Sequence, residues 1–163
     1  MLAGLETLFT RDLACFVREV ELCPDDERLW QVVPGITNSV GNLGLHVAGN
    51  LQHFVGAVLG GTGYVRRRED EFGRRAGTRA EVVAALEAAS GTIRAVLPRV
   101  TAEALAAPFP EQPGGHTINT GVFLQHLASH LALHLGQAGY LRRIVTANPA
   151  SAGPSALAPL AGV

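Results

Sequence analysis

His126-Leu-Ala-Ser-His130-Leu-Ala-Leu-His134-Leu-Gly-Gln137 carries three of the chain's six histidines at steps of four. On an α-helix such a step turns about 40° past one full rotation and rises roughly 6 Å, so the three imidazoles project from one stripe. Phe123, Leu127, Leu141 and Ile144 share it, which predicts that the histidines look into a core. There an imidazole is costly unless it is hydrogen-bonded or ligates something. The rest of the chain is therefore read as a scaffold for this helix.

The 163 residues suit one domain, large enough to bury roughly 70% of its unfolded surface without staples. A net charge of -1 and a pI near 6.6 give no electrostatic reason to expect nucleic acid or an anionic membrane as partner. The dense basic run Arg66-Arg67-Arg68 is cancelled locally by Glu69, Asp70 and Glu71. All 13 basic residues are arginine, which suggests a GC-rich bacterial gene and excludes lysine Schiff bases and phosphate-binding P-loops. Cys15 and Cys23 form neither a redox pair nor a zinc doublet, and two thiols are too few for a disulfide scaffold. With no signal-like N-terminus and no uninterrupted apolar span, a soluble, cytoplasmic protein is expected.

From Ala3 to about Leu22 the apolar residues Leu5, Leu8, Phe9, Leu13, Phe16, Val17 and Val20 follow a three-four rhythm, and Pro24 ends that helix. Asp25 to Thr37 reads as a loop tied to the core by Trp30. Asn38 and Ser39 offer caps for a second helix that runs to about Leu59 and stops at Gly60-Gly61. On it His46, Asn50 and His53 fall on one stripe. Residues 60 to 78 form a long connection with Phe72 as anchor, long enough that the helices it joins need not be antiparallel. Thr78-Arg-Ala-Glu81 is a capping box opening a third helix with the seam Val82, Leu86, Ala89, Ile93 and Leu97. A short helix at Thr101 to Ala106 precedes the fourth long helix, capped by Thr117 or Asn119 and ending near Val145. The expected fold is all-α, a four-helix bundle over residues 1–146, with an Ala/Pro-rich tail or surface strap over 147–163. The back of the fourth helix, with Ala128, Ala132 and Gly139 flanked by Gln125 and Arg143, suits close approach of another helix, and a homodimer is expected.

A His-x-x-x-His pair on one helix and a single histidine on another would supply three neutral nitrogens with coordination positions left for water or substrate. Helices also place histidines at that spacing for purely structural reasons, and spacing alone leaves both readings open. The chain resembles the DinB-like superfamily, particularly its DUF1572-type branch. The likeness lies in Ser39-Val-Gly-Asn42-Leu-Gly-Leu-His46-Val-Ala-Gly-Asn50-Leu, Arg66-x-Arg68-x-x-Glu71-Phe72 and His130-x-x-x-His134-x-Gly136-Gln137. It covers roughly residues 5 to 145. The resemblance implies a DinB-like bundle, often dimeric, with a divalent metal held by one histidine of the second long helix and two of the fourth. Carried over residue by residue, the ligands are His46, His130 and His134. His126 falls outside the pattern and is expected as a core or rim histidine bonded to a carbonyl. Asn50 and Gln137 are expected to bond a ligand of the metal or a backbone group, and His53 to line the pocket. Arg66, Arg68 and Glu71 are expected as a salt-bridge lock or a seat for an acidic substrate group.

Characterised relatives include thiol-dependent S-transferases and isomerases that use mycothiol or bacillithiol. The resemblance therefore implies a metal-dependent transferase in which a low-molecular-weight thiol attacks a small electrophile. The metal is expected to be zinc or nickel, although three imidazoles also suit iron or copper. No Asp or Glu lies on the second long helix or in the histidine stretch, which argues against activation of water by a neighbouring carboxylate and favours thiol chemistry. Two alternatives remain: a non-enzymatic metal-binding stress-response protein with a closed coordination sphere, and a metal-free bundle whose histidines only pack.

Overall fold

Three of the four long helices begin where a polar side chain takes up free N–H groups. The computed structural model describes residues 2–153 and 156–161, and the expected tail residues 154–155 and 162–163, like Met1, lie outside them. The long helices are α1 (Leu2–Glu21), α3 (Val40–Leu51), α5 (Arg79–Val96) and α7 (Thr120–Thr146). Ser39 caps α3 and Thr78 caps α5, each in a reciprocal capping box, while Asn119 caps α7 through the N–H groups of Gly121 and Val122. Past Leu51, α3 continues through a wider π-helical stretch, Gln52–Leu59, before Gly60. No strand occurs among the described residues.

Three short helices fill connections. Asp26–Trp30 (α2) and Arg68–Gly73 (α4) replace expected loops, whereas Ala102–Ala106 (α6) falls in the stretch read as a short helix. The Asp25 carboxylate accepts from the Arg28 N–H at the start of α2, and Asp26 and Glu27 occupy its first turn. Glu69, Asp70 and Glu71 do the same for α4. Carboxylates there are favoured by the helix dipole, so the acidic run that balances Arg66 to Arg68 also nucleates a turn.

In cross-section α1 and α3 stand at diagonal corners, and each packs against both α5 and α7. The apolar seams meet at the centre, with Phe9, Leu13 and Phe16 of α1 buried against Val82, Leu86, Ala89 and Ile93 of α5 and Leu124, Leu127 and Leu131 of α7. Gly44 lies against Val82 and Gly56 against Thr92, so α3 and α5 run parallel, as the long connection between them permits. A Cβ on Gly44 would lie 2.7 Å from the Val82 side chain; the bare backbone is what lets these helices approach. Pairing of Phe54 with Phe123 and of His46 with His130 makes α3 and α7 antiparallel.

Two features differ from expectation. Ile144 is largely exposed rather than part of the inward stripe, and Gly139 faces α1 of the same chain, 3.0 Å from Glu19 Oε1 by its Cβ direction. Arg142 is fully buried and donates from Nε to Glu19 Oε2 at 2.8 Å. Its other nitrogens donate to the carbonyls of Asn148 and Ala150, and Arg18 donates to Ala152 O, so the chain after α7 is laid back over α1. No helix among the described residues is long and apolar enough to cross a membrane.

Candidate metal centre

The Ser39 cap sets the start of α3 and therefore which residues face α7. Asn42, in the first turn, returns its Oδ1 to the Ser39 N–H and donates from Nδ2 to the carbonyls of Glu71 (2.8 Å) and Arg74 (2.9 Å). This one side chain fixes α4 against α3, one turn from His46. Trp30 Nε1 donates to Gly77 O at 2.7 Å and ties down the far end of the same connection.

His46 from α3 meets His130 and His134 from α7. Nε2 of His130 lies 3.2 Å from His46 Nε2 and 3.1 Å from His134 Nε2. Nitrogens bound at 2.0–2.1 Å around one tetrahedral zinc are about 3.3 Å apart, so these two separations are of the size a shared ion requires. Among the described residues the group able to hold a metal is these three histidines, whose ligand atoms lie within 4.8 Å of one another. His46 is buried, while His130 and His134 are half-buried.

The outer nitrogens explain why the Nε2 atoms converge. Glu71 accepts from His46 Nδ1–H at 3.0 Å, and Gln137 Oε1 accepts from His134 Nδ1–H at 2.7 Å. Both contacts leave the lone pair on Nε2. His130 Nε2 can satisfy only one of these two neighbours by donating a proton, so a cation fits the donor set better than any proton arrangement does. Burial pushes the His130 pKa down to about 4, reinforced by His134 and His46; burial likewise lowers His134. Both are neutral, as ligands must be, at pH 7.

Glu71 corrects the expectation that no carboxylate approaches the cluster. It comes from the connection rather than from either histidine helix. Arg66 clasps it with a fork, Nε to Oε1 at 2.7 Å and Nη2 to Oε2 at 2.8 Å. Burial acts to raise its pKa, but hydrogen bonds from Arg66 and His46 outweigh burial and the carboxyl titrates below its ordinary value. The carboxylate therefore stays ionised behind His46. Gly49 makes room for it, because a Cβ there would collide with the Glu71 carboxylate. Arg68 stands apart from this lock, with its guanidinium 5.0 Å from the centre of the Phe72 ring, and Phe72 packs 4.6 Å from the His46 ring.

His53 and His126 stand at the rim. His53 Nε2 lies 3.1 Å from Glu111 Oε2 near the surface. His126 is exposed, its ring nearly parallel to Phe123 at 5.8 Å and 6.1 Å from the His130 ring. Asn50 is buried one turn beyond His46. Behind His134, a cleft of about 380 Å³ is lined by Ile36, Leu43, Gln137, Tyr140, Leu141 and Ile144, so Gln137 is shared by the cluster and an apolar hollow.

Residues 8–138 match the family model described as the DinB superfamily. Comparison with curated proteins gives no match.

Proposed function

The chain belongs to the DinB superfamily, and from that membership together with three convergent imidazoles we propose a metal-dependent transferase that joins a low-molecular-weight thiol to a small electrophile. The observation that carries this reading is the tautomer control: Glu71 and Gln137 both turn Nε2 lone pairs toward one point. A divalent ion, zinc or nickel by donor type, would be held by His46, His130 and His134. Bound by three neutral nitrogens, such an ion keeps its positive charge and favours the thiolate over the thiol at neutral pH.

The chain's own groups hold, orient and exclude. Glu71 and Arg66 fix the His46 ring and close its back, and Gln137 does the same for His134. Half-burial of His130 and His134 leaves the α7 side open for a bacillithiol- or mycothiol-type thiol, and the cleft behind Gln137 suits the apolar part of a substrate. In the reaction the sulfur electron pair forms a bond to the electrophilic carbon, the leaving group departs with its bonding pair, and the thiol proton goes to solvent. Glu71, engaged by Arg66 and His46, is not the acceptor of that proton. A reducing cytoplasm suits a thiol substrate and the two free cysteines. We also propose a homodimer formed through the outer face of α7.

Elemental analysis of tag-free protein beside His46→Ala, His130→Ala and His134→Ala tests the site. About one equivalent of metal in the wild type, lost in each variant, is the expected result. A wild type that holds no metal and takes up neither zinc nor nickel overturns the reading.

A further inference from the structure

Among the described residues, Asn50 Oδ1 is the buried side-chain polar atom with no hydrogen-bond partner. The residue is 7% exposed, and an acceptor shielded in this way is costly to leave unmet. Its position says what it faces. His46 lies one turn earlier on α3 and Phe54 about one turn later in the π-helical stretch, and both rings meet α7, His46 at His130 and Phe54 at Phe123, 5.0 Å between centres. Asn50 therefore faces α7 beside the histidine cluster, on the side away from Gln137. Its oxygen can only accept, and His46 Nε2, one turn back on α3, presents a lone pair as well. An incoming ligand that carries an N–H can supply the missing donor.

We propose that Asn50 is a specificity-determining residue that reads an N–H on the incoming thiol. Thiols carrying an amide N–H two carbons from sulfur are thereby selected over thiols that lack it. One helical turn separates Asn50 from His46, roughly 6 Å along the axis. A sulfur at the cluster, two carbons, an amide nitrogen and one hydrogen bond of about 2.9 Å span a comparable distance. The inference rests on the thiol reading above and adds the chemical feature by which the thiol is recognised. It also accounts for an asparagine kept unpartnered in a core position, where an apolar residue would serve stability better.

Cobalt(II), a spectroscopically visible stand-in for zinc, is loaded into metal-stripped wild type and Asn50→Leu, and two thiols are titrated by their sulfur-to-cobalt absorption. The probes are N-acetylcysteamine and its N-methyl amide counterpart, which differ in a single N–H. Wild type is expected to bind the N–H form about fivefold to tenfold more tightly. Asn50→Leu is expected to load cobalt normally and to show no preference. Metal-free Asn50→Leu is expected to melt about 2–4 °C higher than wild type, whereas loss of a merely structural hydrogen bond would lower the melting temperature. Should the leucine variant fail to fold, Asn50→Ala carries the same thiol comparison. Equal binding of the two thiols by cobalt-loaded wild type, or a preference that survives substitution of Asn50, overturns the assignment while leaving the metal site standing. A wild type that takes up no cobalt overturns both.

Discussion

Glu71 shows how a residue outside the histidine motif governs it. Its carboxylate is held by Arg66 and holds His46 in turn, so changing it to an amide alters the tautomer and the basicity of His46 without adding bulk. Glu71→Gln is expected to weaken zinc binding about 10–100-fold, measured by competition with a chromophoric chelator. His130 sets a pH dependence whose sign follows from its lowered pKa. The unfolded chain takes up a proton there near pH 6.5 and the folded, metal-free chain only near about 4. Its contribution is therefore intact above 6.5 and is lost as pH falls toward 4. Thermal melts of metal-free protein should decline over that interval, and the decline should be shallower in His130→Ala. The three clustered histidines were legible from spacing and resemblance, because a four-residue step on a helix is a geometric statement. The reach of Glu71 was not, since it stands 25 residues from His46 on a connection whose path depends on Asn42.

At the level of elements, the long helices were legible where periodicity and caps agree, as at Ser39 and Thr78. α2 and α4, five and six residues long, show no period and were read as loops, whereas the equally short α6 was read as a helix. The π-helical stretch after Leu51 had no sequence signature either. A stripe drawn at 3.6 residues per turn carries His46, Asn50 and His53 together, but the wider winding changes the phase, and His53 reaches Glu111 near the surface instead. Arg142 was equally hidden: an arginine in the last turns of a helix reads as solvated, and its partner Glu19 is 123 residues away. Truncating one member of this buried pair strands the other. Arg142→Leu is expected to cost about 3–5 kcal/mol in urea unfolding and to free the segment around Asn148 and Ala150.

For the whole molecule, the outer face of α7 is unusual for a surface helix. No Asp, Glu, Lys or Arg occurs from Thr120 to Leu141, and Val122 and Leu133 are each more than half exposed. Free of charge, such a face can meet its own copy across a two-fold axis without repulsion. Leu133→Glu should convert a dimer to a monomer in sedimentation velocity while leaving the helical circular dichroism spectrum unchanged; a wild type that is monomeric at micromolar concentration would reject this association. The tie that Asn42 makes between α3 and α4 has a consequence for the life of the protein. Zinc fingers acquire their shape from the ion and lose it with the ion, but here backbone carbonyls, capped helices and an arginine fork hold the imidazoles in register. The ordering entropy is spent when the chain folds, not when a cation arrives. An ion bound by these imidazoles would add its affinity to a chain already folded, and its removal would leave the fold standing.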